Sequence, residues 1–262
     1  MRYFLELSYR GTSYSGWQRQ PNSLSVQQVI EEALGLLLRH EVPIVGCGRT
    51  DAGVHASYYV AHFEWDTPLP EWLLYRLNQV LPADISIRDI QPVNDQAHAR
   101  FDATRRGYTY FISCQKNPFR TETAWQYPPA SNFGLEELNE AASLLMEYQY
   151  FYPFCKSGSD ARTMACTLYR SEWEKRTEDG LWVYRIAANR FLRGMVRLIV
   201  GMCVNVAKGK VSLAEVRAAM NRQERLVGSE SAPPEGLFLT EVSYPLNLFQ
   251  SHLPNFEGGA SS

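Results

Sequence analysis

The run Met195-Val196-Arg197-Leu198-Ile199-Val200-Gly201-Met202-Cys203-Val204 constrains this chain more than any other segment. It extends to Ala207 and is apolar on nearly every side of a helix. Such a helix offers no face to water, so other elements must enclose it. Its one charge is Arg197. An isolated buried guanidinium is very costly, so the fold must bring an aspartate or glutamate to it. That pair is either a purely structural tie or an arginine that keeps a catalytic carboxylate ionised. The run is too short, and too charged at Arg197, to span a bilayer.

Other elements follow from pattern. Tyr3–Tyr9 reads as a strand and Arg10–Ser23 as a polar loop containing Trp17-Gln18-Arg19-Gln20. Ser25 opens a helix, with Gln28 in the capping-box position and Val26, Val29, Ile30, Ala33, Leu34, Leu37 and Leu38 on one face. Strands are predicted over Val42–Cys47, Tyr58–Trp65 and Asp84–Ile90, with a helix from Pro70 to Leu81. This β-α-β-loop-β-α-β order is close to a split βαβ, ferredoxin-like unit. It recurs loosely. Tyr108–Cys114 is a strand, Leu135–Met146 a helix, Thr167–Lys175 and Trp182–Ala188 a strand pair, and Met195–Ala207 the buried helix. A short helix capped by Ser212 and Glu215 follows, then a closing strand over Leu237–Tyr244. The expectation is an α+β chain of two related halves, residues 1–103 and 104–248, with a frayed tail over 249–262.

The formal net charge of −2 does not announce a nucleic-acid binder. The local distribution is less even. Gly180–Ala214 holds Arg185, Arg190, Arg193, Arg197, Lys208 and Lys210 without one acidic residue. Arg100, Arg105, Arg106, Lys116 and Arg120 are opposed only by Asp102. These residues form a cationic surface if they converge, or solvated arginines on separate faces if they do not. Cys47, Cys114, Cys155, Cys166 and Cys203 make no CxxC pair and no zinc-like spacing with histidine. Reduced thiols in a cytoplasmic protein are expected, with no metal. A strand beginning at Arg2 or Tyr3 leaves no room for a signal peptide.

The candidate for chemistry is Gly48-Arg49-Thr50-Asp51-Ala52-Gly53-Val54-His55, a glycine-bounded turn after a strand. It is a site, or an aspartate turn with a neighbouring salt bridge. Tyr108 and Tyr110 share a strand face; they pack in the core, or one of them meets a base. His55 reads as a loop hydrogen-bonder and His62 as a strand residue. Lys156–Arg162 is a polar loop that touches substrate or only links elements. No P-loop, Rossmann, HExxH or GxSxG pattern is present, and no nucleotide or metal cofactor is indicated.

Six segments occur in the order of a known family: Tyr14–Gln20, Gly48–His55, His98-Ala99-Arg100-Phe101, Tyr108-Thr109-Tyr110, Phe191–Arg197 and Ala232–Leu237. On them the chain resembles the tRNA pseudouridine synthase A family. The resemblance implies two ferredoxin-like halves forming a continuous, mostly antiparallel sheet flanked by helices. It implies a homodimer acting on tRNA without cofactor. The resemblance further implies isomerisation of anticodon stem-loop uridines at tRNA positions 38, 39 and 40. Asp51 matches the essential aspartate and Arg197 the arginine that pairs with it. Arg49 matches the arginine that holds the flipped-out site open, and Tyr108 the tyrosine that stacks on the target base and can serve as base. Arg19 and Arg100 fall in motifs expected to bind substrate. Leu198 departs from a frequent asparagine, and Lys156–Met164 differs from common versions. A non-catalytic RNA-binding protein of this fold would not need Asp51, Tyr108 and Arg197 together. A small-molecule enzyme would not need the acid-free basic stretches.

Overall fold

The computed structural model describes residues 1–158 and 161–249. The expected tail apart from Phe249, and Ser159 and Asp160 of the polar loop, lie outside the described residues. In chain order the elements are β1 (Arg2–Tyr9), α1 (Val26–Leu38), β2 (Val45–Gly46), β3 (His55–Glu64), α2 (Leu73–Val80), β4 (Ile85–Val93), β5 (Arg105–Ser113), β6 (Trp125–Gln126), α3 (Leu135–Leu144), β7 (Leu168–Arg176), β8 (Leu181–Ala188), α4 (Met195–Ala207), α5 (Leu213–Arg222) and β9 (Leu237–Ser243).

One nine-stranded sheet runs β4-β1-β3-β9-β5-β8-β7, with β2 on β3 and β6 on β5. It contains the antiparallel set β4-β1-β3-β2 and the antiparallel set β9-β5-β8-β7. The first set follows a β-α-β-β-α-β chain order, and the second repeats it with β6 after β5 and a second helix, α5, before β9, so the chain uses one supersecondary plan twice. The sets meet where His55 and Ala56 of β3 lie parallel to Phe238 and Leu239 of β9. The α+β, mostly antiparallel sheet expected from the sequence is therefore the one observed.

The buried helix is also where expected. In α4, Met195, Val196 and every residue from Ile199 to Asn205 are buried. They pack with α3, β5 and β8 residues in one core; α1, α2, β1 and β3 residues surround a second. Gly201 is needed on α4 because a Cβ there would lie 1.8 Å from the Glu230 carbonyl oxygen. The 230–234 segment therefore runs tight against the helix.

Differences from expectation are local. The strand predicted over Val42–Cys47 shrinks to Val45–Gly46, because Pro43 has no N–H and the Ile44 N–H donates to the Glu31 carboxylate. β3 starts at His55 rather than Tyr58, since its first residues find partners on β9. Ser25 caps α1 by accepting from the Gln28 N–H, but the Gln28 side chain bonds Glu32, leaving the box half made. Ser212 and Glu215 make the complete box on α5.

β3 also buries His62, whose Nδ1 accepts from the Ala99 N–H at 3.1 Å beside the His98 ring. Burial, then the neighbouring His98 and Arg2, push it down to about 4 from an ordinary 6.5. Between those two values the unfolded chain binds the proton and the folded one does not. The stability this site contributes is thus complete above about pH 6.5 and is lost as pH falls toward about 4. Thermal melts should show Tm falling through that window, and His62→Asn should flatten the fall. Equal slopes for parent and variant would contradict the assignment.

Candidate active site

The Asp51 turn lies between β2 and β3 and is fastened on several sides. Tyr9 and Thr50 hydroxyls are 2.8 Å apart, and the Tyr59 hydroxyl donates to the Gly48 carbonyl at 2.5 Å. The Trp17 N–H donates to the Thr50 carbonyl, and the Gly53 N–H to the Tyr14 carbonyl. Gly53 has φ +77°, a left-handed conformation that closes the turn and disfavours any side chain. Gly16 has φ +93°, and a Cβ there would sit 2.2 Å from the Thr50 carbonyl oxygen. The Tyr14–Gln20 and Gly48–His55 segments are therefore one packed unit. Rigid support of this kind is what positions a reacting side chain.

The carboxylate that the buried helix demanded is Asp51. Arg197 Nη1 lies 3.2 Å from Asp51 Oδ2, with side chains 15% and 29% exposed. The guanidinium also donates through Nε to the Ala232 carbonyl at 2.6 Å, and the Ala232 N–H donates to the Arg197 carbonyl. The pair thus joins a turn of the first strand set to a helix of the second, while one face of the aspartate stays open to solvent.

Tyr108, on β5, packs against both cores at this junction. Its ring meets Phe191 edge-on at 5.1 Å. Burial, reinforced by the nearby Cys47 and Asp51 and opposed by Arg106, raises its phenol well above the ordinary value. A neutral phenol donates a proton rather than taking one. Tyr110 shares the strand face but is fully buried, with its hydroxyl on the Pro233 carbonyl, so it is a core residue. Burial also raises the Cys47 thiol to about 11, which leaves it protonated and a poor nucleophile.

Arg49 and Arg100 line one cavity of about 120 Å³ together with Trp17 and Gln18. Arg19 is near in sequence but committed elsewhere, with Nη1 3.0 Å from the Glu31 carboxylate. His55 is fully buried: Nδ1 accepts from the Gly11 N–H, so Nε2 is the donor to the Glu235 carbonyl. Several residues of the basic stretches are already partnered. Arg185 pairs with Glu174, Arg105 with Glu241, and Arg120 with Asp179. Lys208 lies over the Tyr127 ring. Among the described residues no three His, Cys, Asp or Glu side chains are placed to hold a metal, and no helix is long and apolar enough to cross a membrane.

Sequence reasoning gave Phe191 and Arg106 no role at the site. Arg106 was legible only as one of a basic cluster, because the strand expected from Tyr108 in fact begins at Arg105 and so places Arg106 on the Tyr108 face.

Residues 7–102 and 141–245 match a family profile described as tRNA pseudouridine synthase. The chain is 44% identical over 250 residues to a Parabacteroides distasonis protein named tRNA pseudouridine synthase A, covering 95% of this chain and 98% of that one. It is 45% identical over 251 residues to the same-named Azobacteroides pseudotrichonymphae protein, covering 95% and 99%. Against the same-named Bacillus subtilis protein it is 34% identical over 247 residues, covering 93% and 99%. Full-length likeness at these levels, over a site whose aspartate and arginine meet across the two strand sets, places the chain in the tRNA pseudouridine synthase family.

Proposed function

We propose that this protein isomerises uridine to pseudouridine in tRNA, at anticodon stem-loop uridines, with Asp51 as the catalytic carboxylate. The observation that carries the reading is the Asp51–Arg197 pair, set in a partly open turn beside Tyr108. The reaction breaks N1–C1′, turns the uracil and joins C5 to C1′. The proton lost from C5 is matched by one gained at N1, so substrate and product are isomers and no oxidant or energy source is consumed.

A stacked base must first leave the helix, at a cost of a few kcal/mol. Arg49 and Arg100 hold the backbone and the vacated gap in this reading, which their shared cavity beside the turn supports. Asp51 then acts on the sugar or the base while Arg197 opposes its charge. The neutral Tyr108 phenol suits stacking on the target base and donating a hydrogen bond. Arg19, held by Glu31, contributes to substrate binding by exchanging that partner for phosphate. The assembly proposed is a homodimer in the cytoplasm, a location that agrees with five free cysteines.

The direct test is to map pseudouridine in tRNA from cells lacking the protein. Loss at the anticodon-stem positions, restored by the intact gene but not by an Asp51→Ala version, is expected. An unchanged map would overturn the reading.

A further inference from the structure

Arg106 spends its entire hydrogen-bonding capacity on main-chain carbonyls. Nε donates to Cys47 at 3.2 Å, and Nη2 donates to Cys47 at 2.9 Å and Arg100 at 2.5 Å. Nη1 donates to Ala103 at 3.1 Å and Asn189 at 2.9 Å. A guanidinium carries five N–H donors, and all five are used. Among the described residues no carboxylate pairs with it. A cation with every donor occupied is poorly suited to holding a phosphate.

Its partners are informative. Cys47 leads into the Gly48–His55 turn, four residues before Asp51. Arg100 and Ala103 belong to the connection between the two strand sets, and Arg100 lines the cavity beside the turn. Asn189 follows β8 and precedes Phe191, the ring that braces Tyr108. Arg106 itself lies two residues before Tyr108 on the same strand face. One planar group therefore ties the turn that carries Asp51, the connection that carries Arg100, the segment that carries Phe191 and the strand that carries Tyr108.

We infer that Arg106 is a positioning residue for the isomerisation. It fixes the separation between the Asp51 turn and the Tyr108 ring through neutral carbonyl acceptors. The inference rests on Asp51 being the catalytic carboxylate. Misplacement of a reacting group by about 1 Å costs on the order of 100-fold in rate. Lysine keeps the charge but has three donors on a single atom, so it cannot span four carbonyls in three directions.

The test compares the parent, Arg106→Lys, Arg106→Gln and Asp51→Asn at a temperature well below each Tm, with tritium release from C5-labelled tRNA as readout. Arg106→Lys should lower kcat about 30- to 100-fold with KM for tRNA within about threefold, and its salt dependence should match the parent. Hydrogen exchange in the peptide spanning residues 47–54 should speed up at least about tenfold, while peptides of α4 keep parental protection. Arg106→Gln should behave as Arg106→Lys or worse. Parental kcat and exchange in Arg106→Lys would overturn the inference. So would a loss confined to KM with a shallower salt slope, which would mark Arg106 as a phosphate contact. If Asp51→Asn retains activity, the reading of the site has failed. If only Asp51→Asn is inactive, the site stands and the role of Arg106 falls.

Discussion

Asp51→Asn is expected to abolish pseudouridine formation while leaving a folded protein that still binds tRNA. Removing a catalytic carboxylate of the kind proposed commonly lowers turnover by about 10⁴-fold or more, about 5.5 kcal/mol of transition-state stabilisation. The substitution is nearly isosteric. The amide oxygen can still accept from Arg197 Nη1, which lies 3.2 Å from Oδ2 in the parent. The folding penalty should therefore stay near about 1 kcal/mol, the scale of one weakened hydrogen bond. The turn itself should persist, because Thr50, Gly48 and Gly53 are fastened by Tyr9, Tyr59 and Tyr14 independently of the carboxylate. Tritium release and a filter-binding isotherm on the same preparation separate the two effects. Normal release would remove Asp51 from the chemistry, and lost binding would make its role structural.

Arg197→Met is expected to damage both stability and activity. Methionine fits an apolar helix, but it strands two groups: the Asp51 carboxylate and the Ala232 carbonyl. Breaking a buried pair from one side costs about 3–5 kcal/mol. Asp51 keeps 29% exposure, so water recovers part of that. A loss of about 2–3 kcal/mol follows, which for a chain of this size is a fall in Tm of roughly 5–10 °C. Activity should fall by more than the folded fraction accounts for, because the carboxylate loses the group that fixes its direction. The double variant with Asp51→Asn should be less destabilised than the two single losses added together, as expected for residues in contact. Strict additivity in thermal melts would show that the pair is not coupled.

Much of this architecture was legible. Periodic apolar positions located α1, α3 and α4, and Ser212 with Glu215 located α5, because these patterns report local geometry. The repeated strand-helix order gave two halves, and the observed strand sets β4-β1-β3-β2 and β9-β5-β8-β7 follow it. Less legible were features set by a distant partner. The early start of β3 at His55 depends on β9, more than 180 positions later in the chain. The basic stretches could not be resolved by counting: Arg185, Arg105 and Arg120 each meet an acidic side chain that folding brings to them.

The sequence by itself determined that Arg197 would sit on a buried helix and that a carboxylate had to reach it, although its side chain keeps 15% exposure. That follows from one charge in an apolar helix and the cost of desolvating it. Motif resemblance pointed to Asp51 as the partner. Only the tertiary structure decided the geometry: a parallel seam between β3 and β9 sets two residues 146 positions apart at 3.2 Å. It also decided what stands around them. Arg106 was one basic residue among several until five carbonyl contacts gave it a place, and those contacts exist only once the two strand sets are joined. Burial is written in local pattern, whereas the partner of a buried charge is chosen by chain crossings that no local pattern encodes.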